Sequence, residues 1–596
     1  MKIKKLLKNT YYILIKKLGK ESLARYGWQE KLKELADSVN EYIQTEKIQK
    51  KCKILVPTTF NASKNWWIHD GIITAALRIR GAEVIPVICD GIQSDECVSS
   101  AGKWQESKVE NSKKQRKKTC SDCIKRAEKM WGIWGLTPIK LSSFISSAEI
   151  SEFRKKAASW VDSDWENIKV KGFNVGYEAW KATVNNDLKA IIDKEFRERA
   201  NSLAYHHILN ILILTRAYEL IISNYTPDRI FGNGGFYYQW GVPYHISQKC
   251  NIPYYRYHQI GLHKDAWNYA RNSLELIDLD SAWHSWLKQP WTLQKEQCVD
   301  NELLLRGVTV ISDNKKKEEV KKGIVNKLNL DANKPIVLAL TGVAWDATTN
   351  APSATFKNMY EWLWDTIDWF AEHPKSQLII RVHPGENVVE NVNPKNRTSF
   401  SREAEKKGVK IPGNVRIIQY YEKISTYDLM SISKIGMTYL STTALEMSCL
   451  GLPVIVVGNA HYSGKGFTFD PKTKEEYYKM LSDLVSNDLG CEKKRQVAEL
   501  AKKYWYLYSF CFSIKIELIE KLKENYYSSK ELSWESLLPG TDAYLDYLCD
   551  SIINDLPIAG ENRWPPDLNE LDKDLCVAKR IPIVYHNTNV HSSNTE

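Results

Sequence analysis

The stretch Ile435 to Asp470, IGMTYLSTTALEMSCLGLPVIVVGNAHYSGKGFTFD, leaves few folds open. It reads as a short apolar strand (Ile435–Leu440), three hydroxylated residues (Ser441, Thr442, Thr443) and a two-turn helix (Ala444–Leu450). Gly451 and Pro453 stop that helix, a second apolar strand follows (Val454–Val457), and a loop carries His461, Tyr462 and Lys465. A strand that enters a helix through small hydroxylated residues makes an anion site, because backbone N–H groups, hydroxyls and the positive helix end point at one place. In an open α/β sheet that place is the crevice at the carboxyl ends of the strands. The helix is apolar on almost every side, and Glu446 is its only charge. A buried carboxylate needs a partner. Two readings meet that need: a capping box, Thr443-x-x-Glu446, or hydrogen bonds from the ribose hydroxyls of a nucleotide.

Two sets of strand signals flank a polar, lysine-rich stretch at Asp313–Asn333, and the 596 residues exceed what one core can bury. The first set opens with Lys53–Pro57 (KILVP), a long loop, an apolar helix (Ile72–Ile79) and the strand Glu83–Ile88. His69 and Asp70 fall just before that helix, where Asp70 serves as an N-cap or the pair supplies a general base. The short strand Arg229–Phe231 runs into Gly232-Asn233-Gly234-Gly235, and Tyr254–His258 ends in a polar loop beginning with Gln259. In a parallel sheet His69/Asp70, Asn233–Gly235 and His258/Gln259 share one edge. Between these strands, residues 125–222 read as mostly helical. The second set comprises Pro335–Leu340, Gln377–Val382, Val415–Ile418 and the opening stretch. Arg381 and His383 end a buried strand in RVHPGE, and Pro384 forbids further ladder pairing, so both side chains are expected in the crevice. The expected architecture is α/β, with two doubly wound (Rossmann-like) lobes, an N-terminal amphipathic helix and a helical C-terminal extension. The domain boundaries read as 1–50, 51–325, 334–485 and 486–596.

Charge and cysteine usage narrow the partners. The net charge of +11 is patchy, concentrated in the first twenty residues and in Lys113–Lys118 (KKQRKK), which reads as a mobile loop. Residues 1–20 place Ile3, Leu6, Leu7, Tyr11, Leu14 and Leu18 on one helical stripe surrounded by lysines. Such a helix lies on an anionic membrane surface or docks on the protein's own body, and a polar helical linker follows to about Gln49. No nucleic-acid-binding motif, signal peptide or run of ~20 apolar residues is visible. Twelve cysteines without a secretory signal imply a reducing compartment. Cys89, Cys97, Cys120 and Cys123 have the composition of a tetrahedral thiolate site for structural zinc, or remain buried thiols.

RVHPGE at 381–386, GVAWDA at 342–347 and STTALEMSCLGLPVIVVGNAHYSGKGFTFDP at 441–471 resemble the capsule polysaccharide biosynthesis proteins, a family that includes bacterial glycosyltransferases of surface polysaccharide assembly. HDGIITAALRIRGAEVIPVICDG and PDRIFGNGG extend the resemblance, more loosely, into the first lobe, so that it spans about residues 50–480. It implies the GT-B arrangement and a sugar transfer without a catalytic cofactor or metal, from a CMP- or UDP-sugar donor to a glycan or glycolipid acceptor. Ser441, Thr442 and Thr443 would hold donor phosphates and Glu446 the ribose. Arg381, His383, His461 and Lys465 would be donor-side groups. The acceptor base would come from the first lobe, as Asp70 or His69, with Asn233, Gly234 and His258 along the crevice. Sialic-acid and Kdo transferases carry Gln-Ser-Ser before this helix, where the chain has Leu440-Ser441-Thr442. The implied location is cytoplasmic, peripheral at the inner face of the membrane. A nucleotide-sugar 2-epimerase and a non-catalytic scaffold of a polysaccharide assembly complex are the competing classes.

Overall fold

The computed structural model describes residues 23–58, 64–94, 112–186, 192–235, 237–258, 267–273, 279–308, 314–343, 352–386, 410–519, 533–560 and 563–566, with a few single positions between them. The basic N-terminal helix expected at 1–20, Gln259 and the tail from 567 lie outside the described residues. Two compact units make up the chain. The described residues of the first come from Met1–Ala282 and Cys511–Pro566, those of the second from Trp283–Asn391 and Thr398–Phe510.

In the first unit the elements run α1 (Leu23–Thr45), β1 (Cys52–Thr58), α2 (Lys64–Ile79), β2 (Ala82–Ile88), α3 (Ser112–Ile133), β3 (Ile139–Lys140), α4 (Ser147–Val161), α5 (Val175–Asn186), α6 (Arg197–Tyr225), β4 (Arg229–Asn233), α7 (Tyr238–Lys249), β5 (Tyr254–His258) and β6 (Trp267–Arg271). β3, β2, β1, β4 and β5 are neighbours in that order and parallel, and β6 adds to β5 antiparallel. Ile54, Leu55 and Val56 are buried on both faces of the sheet, as an interior parallel strand requires. The apolar run Ile208–Leu214 lies inside α6, in the unit's main core. Among the described residues no helix is long and apolar enough to cross a membrane.

Several expectations change here. His69 and Asp70 stand in the second turn of α2, which begins at Lys64, so Asp70 is not an N-cap. The apolar stripe of Ile72, Ala75, Ala76 and Ile79 continues backwards through Ile68 at helical spacing, and that packing sets the start. KKQRKK belongs to α3: its straight-chain residues are good helix formers, and nothing before Gly132 breaks the helix. The supposed linker helix α1 buries Leu32, Leu35, Ala36 and Val39 against the first unit.

The second unit runs α8 (Leu293–Leu305), α9 (Asn314–Lys327), β7 (Ile336–Leu340), α10 (Met359–Glu372), β8 (Gln377–Arg381), β9 (Val415–Ile418), α11 (Thr426–Ile432), β10 (Ile435–Thr438), α12 (Thr443–Cys449), β11 (Val454–Val456), α13 (Lys474–Ser486) and α14 (Cys491–Tyr506). Its five strands are all parallel in the order β11-β10-β7-β8-β9. The chain winds outward from β7 through β8 to β9, then returns to the other side of β7 as β10. The switch point therefore lies between the carboxyl ends of β7 and β10, where an open α/β sheet binds its ligand. The lysine-rich stretch expected to join the lobes forms α9 within this unit.

Residues beyond α14 return to the first unit. β12 (Ser513–Ile514) pairs antiparallel with β6, Ile514 opposite Trp267. α15 (Ala543–Asn554) is tied down by Asp546, which accepts from Arg80, and just past its end Asp555 takes Arg271 Nε and Nη2 at 2.8 and 3.0 Å. This segment is part of the first unit's sheet and core rather than an appendage.

Candidate functional site

On the carboxyl edge of the second sheet, the backbone turns sharply after β8. His383 N–H donates to Thr341 Oγ1, at the end of β7, at 2.9 Å, and Gly385 N–H donates to His383 Nδ1 at the same distance. A Cβ on residue 385 would stand 2.9 Å from that nitrogen, so only glycine closes the turn. With Nδ1 accepting, the proton of a neutral His383 sits on Nε2. Burial and the nearby Arg381 guanidinium hold its pKa below the ordinary imidazole value. Arg381 takes a different place from the one expected. Its guanidinium donates to the carbonyls of Gln419 and Glu422, fastening the segment after β9, and it is only 7% exposed. Its role here is to hold the sheet edge.

After β10, Ser441 turns inward. Its Oγ accepts from Thr443 N–H at 3.2 Å and lies 2.7 Å from Thr443 Oγ1, while its carbonyl accepts from Tyr462 Oη. Thr442 is the N-cap residue and its exposed side chain makes no capping bond. The capping box is therefore absent. Glu446, 2% exposed, turns to Arg306, whose Nη1 donates to Oε1 at 3.3 Å, and it also bonds to the Tyr427 hydroxyl. Burial raises its pKa, with Arg306 and Tyr427 acting against that rise.

His461 and Lys465 follow β11. Tyr504 Oη donates to the His461 carbonyl at 2.8 Å and lies 2.7 Å from Nδ1. Its one proton is thus spent on the carbonyl, so Nδ1 is the donor and Nε2 of His461 is the acceptor. Burial pushes this imidazole down to about 3, which keeps it neutral. Two neutral histidines of opposite tautomer thus stand on one sheet edge, one an N–H donor and one an acceptor. Lys465 is half-buried, its Nζ 3.5 Å from the Ser463 carbonyl.

Spacing did not reveal Arg306, Glu302, Tyr427, Trp505 or Thr341. Glu302 and Arg306 stand four apart in NELLLRG, ahead of a helix-ending glycine, which shows that they share a helix face but not what that face meets.

The first unit's candidates form a buried network. Tyr257 Oη donates to Asp70 Oδ1, His69 Nδ1 lies 3.4 Å from the same oxygen, and His69 Nε2 lies 2.7 Å from Tyr269 Oη. Phe231, Tyr257, Trp267 and Tyr269 surround the imidazole. Asn233 ends β4 beside Tyr257, Gly234 N–H donates to the Tyr257 carbonyl at 2.8 Å, and His258 ends β5 with a pKa lowered by burial to about 4. His69 is fully buried and Asp70 is 4% exposed.

Among the described residues no three His, Cys, Asp or Glu side chains are arranged to hold a metal ion, although the expected tetrathiolate set lies together: Cys97 and Cys120 act electrostatically on Cys89, and Cys97 and Cys123 on Cys120. None of the four is in a disulfide. Cys89 accepts from the backbone N–H groups of Gly91 and Gln93, and burial pushes it up to about 12.

Two α/β units in one chain, the first on a mostly parallel sheet and the second on an all-parallel one, each with its switch point at the carboxyl edge, are the two doubly wound lobes expected from the sequence. Residues 296–484, within the second unit, match the family described as capsule polysaccharide biosynthesis protein, in agreement with the resemblance carried by RVHPGE and STTALE. No curated protein matches the chain. Similar solved structures include UDP-GlcNAc 2-epimerase from Neisseria meningitidis bound to UDP-GlcNAc, at 11% identity over 77% of this chain and 96% of that one, with a TM-score of 0.23. The β-Kdo 2,7-transferase KpsC of Thermosulfurimonas dismutans is 13% identical over 52% of this chain and 87% of its own, with a TM-score of 0.25. At such values the likenesses carry no argument about reaction or substrate.

Proposed function

We propose that the protein is a glycosyltransferase that moves a sugar from a CMP- or UDP-sugar to a growing, lipid-linked surface polysaccharide at the inner face of the cell membrane. The observation that carries this reading is the match of residues 296–484 to the capsule polysaccharide family, over the same segment whose hydroxyls and buried carboxylate flank the sheet's switch point. In the proposal, Thr442 and Thr443 meet the donor phosphates, Ser441 supports them by fixing the turn, and Glu446 accepts from the ribose. His383 Nε2–H and Lys465 offset charge that builds on the departing phosphate. Asp70 is the proposed acceptor base, assisted by His69. To take a proton from an acceptor hydroxyl, Asp70 must first lose the Tyr257 hydroxyl it now holds.

A thermal-shift screen of CMP, UDP, GDP and their sugars tests the donor half, since a ligand bound only by the native state raises the melting temperature. One ribonucleotide series should stabilise the wild type and not Glu446→Ala or His383→Ala. Equal stabilisation of both variants would remove the donor assignment. Cosedimentation with anionic liposomes tests the membrane half: deleting residues 1–20 should release the protein, and unchanged binding would discard the anchor.

A further inference from the structure

Glu446 is not the only buried carboxylate beside Arg306. Glu302, on the last turns of α8, is 8% exposed and places Oε1 3.7 Å from Arg306 Nε, while Glu446 Oε1 is 3.3 Å from Arg306 Nη1. The guanidinium lies over the Trp505 ring at 5.1 Å, and Trp505 Nε1–H donates to Glu302 Oε2 at 2.8 Å. Arg306 is thus fixed by a carboxylate on each side and an aromatic face. Just after it Gly307 ends α8 with φ of +87°, a backbone conformation that favours glycine, beside the Tyr427 ring. Tyr427 in turn bonds to Glu446. All of these groups belong to the second unit.

The arrangement leaves two features for a ligand. Two carboxylates share one guanidinium, so the cluster carries a formal excess of one negative charge if both are ionised. Glu446 Oε2 is buried and accepts no hydrogen bond from the protein. A buried carboxylate oxygen without a donor is costly. The ligand group that satisfies it must bring O–H donors and no negative charge, since an anion would meet an already negative cluster. A vicinal diol has that chemistry.

We propose that Arg306 is a positioning residue of the nucleotide site: held by Glu302 and Trp505, it takes one oxygen of Glu446 and presents the other as the acceptor that distinguishes ribose from 2′-deoxyribose. This rests on the donor-site reading above and extends it to three residues outside the hydroxyl–helix stretch. Arg306 and Glu302 touch no ligand in this account. They act by fixing where Glu446 points and by opposing its neutralisation.

Isothermal titration of the full chain with UDP and CMP, each against its 2′-deoxy counterpart, provides the test. The wild type should prefer the ribonucleotide by about 10- to 100-fold, as expected for hydroxyls bonded to a charged acceptor. Arg306→Met and Glu302→Gln should bring that ratio close to one while leaving deoxynucleotide affinity little changed, and Arg306→Lys should restore part of it. A purely structural role would weaken both nucleotides together and leave the ratio intact. If Glu446→Gln abolishes the ratio and the Arg306 and Glu302 variants keep it, the positioning role fails while the ribose contact stands. If the wild type shows no preference, or binds no nucleotide, both fall. Should Arg306→Met not fold, Arg306→Lys and Trp505→Phe decide the question by the same ratio.

Discussion

Asp70 shows how much the setting of one carboxylate decides. Its oxygen accepts from Tyr257 Oη, with His69 on its other side, and both partners sit in an aromatic cage at the sheet's carboxyl edge. If Asp70 is the acceptor base, Asp70→Asn should lower the transfer rate by about 10²- to 10⁴-fold with donor binding retained. An unchanged rate would move the base elsewhere. The buried histidines set a pH dependence of stability. Folding holds His207 and His461 at about 3 and His258 at about 4, against an ordinary 6.5. Below 6.5 the unfolded chain binds protons that the folded chain refuses, so stability present at neutral pH is lost as pH falls towards 4. Glu446 and Asp542, raised by burial, work in the opposite sense, but His245 and His383 are lowered as well, so five histidines stand against two carboxyls among the described residues. The melting temperature should therefore be lower at pH 5 than at pH 7.5; equal values would show that these rings are protonated in the fold. Sequence reading found His383 and His461 but not their tautomers, which depend on Gly385 and on Tyr504, the latter in a distant helix. It misplaced Arg381 because a strand-end arginine can reach the crevice or its own neighbour's carbonyls, and only the position of Gln419 and Glu422 decides.

Elements were legible where burial is two-sided. Ile336–Leu340 and Gln377–Arg381, interior and buried throughout, and the other parallel strands depart from their sequence reading by no more than a few residues, because a continuous apolar run between breakers has no alternative. β6 and β12 were not read. Trp267–Arg271 becomes a strand only by pairing with β5 on one side and with Ser513–Ile514 on the other, a contact that local sequence does not encode. The start of α2 was missed for a similar reason, since helical packing of Ile68 outweighs the loop-like composition around it. A tight fit between elements lies under the proposed donor site. A Cβ on Gly436 would stand 2.4 Å from Met447 Sδ, where α12 lies on β10. Gly436→Ala should therefore destabilise the second unit by about 1–3 kcal/mol, as overpacking does, and shift α12 enough to weaken nucleotide binding. A variant as stable as wild type in urea would show that Met447 has room to turn aside.

For the whole molecule, the paired α/β units were legible from two successive sets of buried strands, and the family signature of the second from RVHPGE and STTALE. The return of Cys511–Pro566 to the first unit was not, because β12 is two residues long and the partners of α15 and its cap, Arg80 and Arg271, lie hundreds of residues away in sequence. The proposed reaction is the transfer of an activated sugar to a lipid-linked glycan. The most direct measurement incubates the full chain with CMP- and UDP-sugars, with and without a lipid-linked glycan extract, and follows free nucleotide and glycolipid together. The account predicts nucleotide release that requires the acceptor, matched by sugar gained on the lipid and lost in Glu446→Ala. Isomerisation of the donor without acceptor, or no acceptor-dependent release from any donor, would contradict it.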